Sequence, residues 1–441
     1  MTGQTHTRRV AAILCLIPAA YFLATAGYGL LNFADYASDT PRLIRYVVGP
    51  LGIVAILAIV AVFVEETNAL VVGITATALL AALFVFESYM TYRVLPRQMG
   101  LVGAVDDGVS LERFRNAMPP AYTIKALNKE RGVETLDRAV LASVPGEEVF
   151  LCSRGGAPVS YRADRFGFRN PVPAAAPPID VLVLGDSFME GICLDDGAHT
   201  VDQLRGSGLS VVNTASRGAG PLFELAVLGR YGPYFRPDVT LMVFFAGNDW
   251  ENLLHETAFP WLAQAFEPDA DFGPVEWTED QLAETAEIVD TWWQGTAAST
   301  SELFQRRAVL RNFFALQQTA SVLGLHYPKK TPQNPEYERT LRRAAEIVDG
   351  WDGRLVVAYV PPVARYGGMF DHKFVHEPLH RMVLEAAGAA GVPVVDLTGV
   401  FDAQPDPRAL YAADSHFNPA GARLAAEIIL DYLETSGMVP Q

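Results

Sequence analysis

The stretch Val181-Leu182-Val183-Leu184-Gly185-Asp186-Ser187-Phe188 decides the fold. Four apolar, partly β-branched residues in a row suit a strand buried on both faces, as in a parallel sheet covered by helices. Gly185 and Asp186 are turn formers, so the strand ends there and Ser187 falls at its carboxyl end. Open α/β sheets bind their ligands at that edge. A glycine beside the serine lets the backbone pack closely. Such a serine becomes a nucleophile only when a base and an oxyanion hole face it.

Outward from this stretch, strand-like segments at Ile179–Leu184, Ser210–Val212, Val239–Phe245, Leu355–Val360 and Val392–Leu397 alternate with helical ones near 198–206, 221–230, 376–389 and 420–434. With right-handed crossovers, that alternation predicts an α/β fold over residues 179–441. Its form is a flavodoxin-like three-layer α/β/α sandwich on a parallel five-stranded sheet. A helical insertion at 250–349, rich in tryptophan, leaves from a strand end. It reads either as a lid or substrate wall or as an added helical subdomain. Residues 98–178 read as a connecting segment, with a short β-like piece at Glu148–Ser153 and a Pro/Ala-rich linker at Pro171–Pro178.

The 441-residue chain is too long for one ordinary domain, and its apolar excess lies at the N-terminus. Val10–Leu31, Val47–Val64 and Ala69–Phe86 carry no charge, and each is about long enough to cross a bilayer as a helix. Residues 1–97 therefore read as a membrane anchor with three transmembrane helices (about 10–31, 47–64 and 69–86), and the lipid bilayer is a partner. Arg8 and Arg9 before the first run favour a cytoplasmic N-terminus and an exported C-terminal part. Arg42, Arg45, Arg93 and Arg97 pull the other way. Residues 8–26 also have the shape of a signal peptide, which again leaves the C-terminal part outside. The net charge of −16 and the lack of basic blocks argue against nucleic acid. Cys15 lies in the first span. Cys152 and Cys193 suit either one disulfide in an oxidising compartment or two inert buried thiols.

Three further loops carry chemistry. After the second strand comes Asn213-Thr-Ala-Ser-Arg-Gly218-Ala-Gly220, where a glycine backbone N–H can face an anion. After the third comes Gly247-Asn248-Asp249, whose asparagine amide can do the same. Near the end stands Asp414-Ser-His416-Phe-Asn418-Pro419, in which Asn418 and Pro419 start the last helix. His416 before that helix can take the serine proton, and Asp414 can hold its tautomer.

These blocks resemble the SGNH/GDSL hydrolase superfamily over about residues 179–435. The resemblance implies Ser187 as nucleophile, His416 as general base and Asp414 as its orienting acid. It implies an oxyanion hole of Ser187 N–H, Gly218 N–H and the Asn248 amide, with no cofactor. The last block is Asp-x-His, where many members have Asp-x-x-His; it is similar to members acting on polysaccharide O-acetyl groups. The segment from Tyr161 to Pro171 and that from Gly220 to Ala226 look like a membrane-anchored bacterial subgroup. Its members carry cysteines at positions matching Cys152 and Cys193, which implies that these two pair.

His376-Glu-Pro-Leu-His380, with His372 one turn earlier, mimics a zinc motif. Pro378 interrupts the helix such a site needs, so no metal is expected. The expected function is serine-dependent ester hydrolysis or O-acyl (acetyl) transfer through an acyl-enzyme, on an acylated cell-envelope glycan. The tryptophans of the insertion would suit a carbohydrate wall. The expected place is the bacterial inner membrane, with the catalytic domain periplasmic. The alternatives are a lipid or lysophospholipid esterase, and a non-catalytic subunit of an envelope-assembly complex.

Overall fold

The computed structural model describes residues 2–94, 110–120, 122–173, 175–295 and 307–439. Arg97, residues 98–109 of the connecting segment and residues 296–306 of the insertion lie outside them. The chain divides into two compact units. One comprises 1–96, 300–332 and 367–378, and the other 97–299, 333–366 and 379–441.

The second unit opens with an antiparallel hairpin, β1 (Glu148–Arg154) and β2 (Ala157–Arg162). Its main sheet has five parallel strands: β3 (Val181–Leu184), β4 (Val211–Asn213), β5 (Val239–Phe245), β6 (Arg354–Val360) and β7 (Val394–Asp396). They lie in the order β4-β3-β5-β6-β7, the flavodoxin-like 2-1-3-4-5 arrangement. Side chains alternate between faces with the two-residue period of a strand. Val181 and Val183 join Leu241, Val243, Val356 and Ala358 in one core, covered by helices Thr200–Arg205 and Pro419–Thr435. Leu182 and Leu184 join Met242, Phe244 and Val357 in the other, covered by helices Pro221–Phe235 and Glu336–Asp349. All four β3 residues are buried, which is why the strand reads as an unbroken apolar run.

The boundary at 179 is corrected. Phe166, Phe168, Leu127 and Val140 sit in the same core as the sheet, so residues upstream of 179 belong to the catalytic unit. Their burial was hidden because they come from the two-turn helix Ile124–Glu130 and from irregular pieces, all too short to show a period. The insertion is corrected too. Its first part, through helices Asp249–Glu256 and Glu279–Gly295, packs within the sheet unit. Residues 307–332 belong to the membrane unit. The tryptophan wall does not exist. All six tryptophans lie in or pack against the core beneath the sheet, with Trp261 fully buried and Trp292 stacked on Tyr122.

Among the described residues of the first unit, three helices are long and apolar enough to cross a membrane: His6–Leu31, Thr40–Phe63 and Glu66–Tyr92. The first and third approach closely at Gly73, where a Cβ would stand 2.9 Å from Leu14 Cβ. Nearby, Thr77 Oγ1 donates to Leu14 O at 2.7 Å.

Candidate active site

β3 delivers Ser187 to the carboxyl edge of the sheet, at the strand-order reversal where such sheets place their ligands. Asp186 caps the short helix Ser187–Glu190, its Oδ1 accepting from Phe188 N–H at 2.9 Å. Ser187 is half-buried, and its Oγ lies 2.8 Å from His416 Nε2, a distance over which the hydroxyl can pass its proton to the imidazole. Phe188 lies tilted on Phe245, ring centres 3.9 Å apart, and packs against His416 and Phe417, fixing the wall behind that pair.

The Asp-x-His spacing works through a tight turn. Ser415 adopts a left-handed conformation (φ 75°), and the loop closes with Ala412 N–H donating to His416 O at 2.8 Å. Asp414 Oδ1 then accepts from the backbone N–H of His416 at 3.2 Å, and Oδ2 stands 3.4 Å from His416 Nδ1. The second contact is close enough for an ion pair but out of line for a hydrogen bond, and Nδ1 has no other acceptor among the described residues. Burial alone would raise the Asp414 carboxyl; its contact with His416 outweighs that and holds it below the usual carboxylate range. Asp396, the other acid near this edge, is committed elsewhere. Its Oδ2 is 2.7 Å from His380 Nε2, and its Oδ1 accepts from Thr398 N–H. Pro378 stands in the first turn of helix Glu377–Ala390, two residues after His376.

The glycine and asparagine loops both reach the nucleophile turn. Ser216 N–H donates to Gly185 O at 3.0 Å, and the Asn248 amide hydrogen-bonds the Asp186 carboxylate. Asp186 is fully buried, and its carboxyl is pushed up by that burial. Gly218 has φ 73°, and a Cβ there would stand 2.7 Å from Thr123 Cγ2, so a side chain is excluded on two counts. Among the described residues, no acceptor takes the N–H of Ser187 or of Gly218. Two free N–H donors and a half-buried amide are what a developing oxyanion needs.

Several supporting residues left no local sign in the sequence. Glu256, fully buried, accepts from Gly220 N–H (2.7 Å), Leu222 N–H (3.1 Å) and Phe223 N–H (3.2 Å), capping helix Pro221–Phe235. Lys125 Nζ balances it at 2.6 Å. Glu190 accepts from the Arg217 backbone at 2.9 Å, from its guanidinium at 2.6 Å and from Tyr161 OH at 3.1 Å. Arg169 donates to the carbonyls of Glu190, Gly191 and Leu194 behind the nucleophile helix. Cys152 and Cys193 are joined as a disulfide, tying β1 to the loop after that helix. Two more carboxyls, Glu224 and Asp249, are buried beside Asp186. Burial, then the neighbouring negative charges, raise both well above the usual range. These contacts join residues 21 to 131 positions apart, beyond the reach of any local pattern.

A family model described as the GDSL-like lipase/acylhydrolase family matches residues 183–424, more than half of the chain and all four loops. The chain belongs to that family. Membership brings acyl-ester hydrolysis as its class of activity, and the three apolar helices fit a membrane-anchored branch of it. Similar solved structures include a lipase/acylhydrolase from Enterococcus faecalis (14% identity, 58% of this chain and 97% of that one, TM-score 0.32). Another is a GDSL-like lipase from Bacteroides thetaiotaomicron (10% identity, 60% and 94%, TM-score 0.33). A third is a mutant acetylxylan esterase from Geobacillus stearothermophilus (13% identity, 59% and 96%, TM-score 0.31). No curated protein matches the chain.

Proposed function

We propose that this GDSL-family hydrolase cleaves its ester through a Ser187 acyl-enzyme. The observation that carries the proposal is the Ser187 Oγ–His416 Nε2 distance of 2.8 Å. Ser187 Oγ attacks the ester carbonyl carbon while its proton passes to His416 Nε2. The carbonyl oxygen, now an oxyanion, takes hydrogen bonds from Ser187 N–H, Gly218 N–H and the Asn248 amide. The C–O bond to the leaving alcohol breaks, and His416 returns the proton to that oxygen. Water, or an acceptor hydroxyl in the transferase variant, then attacks the acyl-enzyme with His416 again as base. Asp414 steadies the imidazolium by its charge at 3.4 Å.

The disulfide supports an oxidising, periplasmic setting for this unit. An acetyl or other small acyl ester on a cell-envelope glycan is the first substrate reading, resting on the Asp-x-His block. With the tryptophans buried, it draws no support from an aromatic sugar platform. A lipid ester is the second, favoured by the exposed Phe314, Met369 and Phe370 of the membrane unit.

The test is fluorophosphonate labelling of the purified protein together with p-nitrophenyl acetate turnover. Both are expected in the wild type and absent in Ser187→Ala. A wild type that neither labels nor turns over refutes the enzyme reading and leaves a non-catalytic subunit. Acetate release from acetylated glycan against fatty-acid release from lysophospholipid separates the two substrates.

A further inference from the structure

The membrane unit holds a second feature that ester hydrolysis does not use. Residues 307–332 and 367–378 are far in sequence from the three apolar helices yet fold with them. Glu87, fully buried in helix Glu66–Tyr89, accepts from Gln318 N–H (3.0 Å), Thr319 N–H (2.7 Å) and Thr319 Oγ (2.7 Å). Arg42 is spent on Asp39 and on the carbonyls of Pro328 (3.0 Å) and Lys329 (3.3 Å). These buried polar ties fix the returning segment against the helices.

That segment has the wrong surface for water. Leu310, Phe314, Leu325, Met369, Phe370 and Phe374 are all exposed, with Met369 at 74% and Phe314 at 62%. Outside the spans, the described residues of the sheet unit expose only Val172, Leu282 and Val400 among large apolar side chains. The surroundings are also basic: across 32–48, 309–332 and 367–376 there are six Lys/Arg against three Asp, in a chain whose net charge is −16. Apolar side chains among basic ones are the pattern of a surface lying in the headgroup layer.

Within this face is a cavity of about 260 Å³, lined by Arg45, His326, Tyr327, His372, Phe370 and Phe374 among others. Arg45 is half-buried, with its guanidinium carbon 5.8 Å from the centre of the Tyr46 ring, and it supplies a guanidinium to the cavity lining. A guanidinium that lines a cavity takes an anionic oxygen as its natural partner, in charge-assisted hydrogen bonds. We propose that this face is immersed in the headgroup layer and that Arg45 holds the phosphate of an anionic phospholipid in the cavity. The continuity of the face with helices long enough to span the bilayer, its basic excess and its apolar rim single out a lipid over a soluble anion. Asp371 also lines the cavity and sets a lower limit on selectivity, since it repels a dianion more than a phosphodiester.

The experiment is native mass spectrometry of the full-length protein released from nanodiscs of mixed phosphatidylglycerol and phosphatidylcholine. The wild type is expected to keep phosphatidylglycerol after phosphatidylcholine is stripped. Arg45→Gln should hold it about tenfold more weakly, with Arg45→Lys between. Equal retention of both lipids by the wild type, or unchanged retention in Arg45→Gln, overturns the proposal. So does displacement by millimolar glycerol phosphate, which would make this a site for a soluble anion. Should Arg45→Gln fail to fold, a phosphatidylglycerol with a diazirine near its headgroup decides on the wild type. Adducts at 41–46, 322–327 and 369–374 support the proposal, and adducts confined to the three spans outside 41–46 refute it.

Discussion

Replacing Asp414 with alanine removes a charge that stands 3.4 Å from His416 Nδ1 without a hydrogen bond between them. At that distance two unit charges interact by about 1.2 kcal/mol in water and about 5 kcal/mol at an effective dielectric of about 20. The two side chains are 24% and 21% exposed, which places the pair between those limits. A transition-state loss of about 2–3 kcal/mol follows, or roughly 30- to 160-fold in kcat/KM. An acid in line with its histidine and hydrogen-bonded to it costs about 10⁴-fold when removed. The assay is kcat/KM on p-nitrophenyl acetate, with Asp396→Ala in parallel. Asp396→Ala loses its bonds to His380 and Thr398 and so loses stability, but it keeps turnover. Wild-type turnover in Asp414→Ala, with collapse in Asp396→Ala, would refute the assignment of the acid. A loss near 10⁴-fold would refute the purely electrostatic contact and show that the bond closes on substrate binding.

The remaining predictions concern the shell around the site. Glu224 has both carboxyl oxygens buried without hydrogen-bond partners among the described residues, and its pKa is raised above the unfolded value by burial and by Asp186 and Glu256. A raised carboxyl contributes stability that is full below the unfolded pKa and is lost as pH climbs toward the folded one. Glu224→Gln is therefore expected to be near neutral at pH 4 and to gain on wild type by up to about 1.4 kcal/mol per pH unit above it. Melting curves across pH check this, and a variant whose deficit grows with pH contradicts it. Glu256→Gln strips Lys125 of its buried partner and loosens the Gly220 turn, and is expected to cost about 3–5 kcal/mol in denaturant unfolding. Its kcat should fall as well, and unchanged stability would deny the capping role. The Cys152–Cys193 disulfide closes a separation of 41 residues, so Cys152→Ser is expected to lose about 2–4 kcal/mol. Mass-tagging of unreduced protein should count one thiol, Cys15; three would refute the pairing.

What was legible in the sequence is what local chemistry writes there. The run Val181–Leu184 announces a doubly buried strand, Gly185 and Asp186 end it, and Asn418-Pro419 starts the last helix, because burial period and capping act over a few residues. The four loops that meet at Ser187 could be named for the same reason, since each sits at a strand end. Tertiary structure alone decided how they are held. Glu256, Lys125, Glu190, Arg217 and Arg169 act across long chain separations, and a buried charge leaves no local pattern to say which partner it will find. It also decided that the tryptophans are core and that residues 307–332 return to the membrane helices. An aromatic or apolar residue reads the same in sequence whether protein, substrate or lipid covers it. Only the packing of distant segments settles which surface remains uncovered.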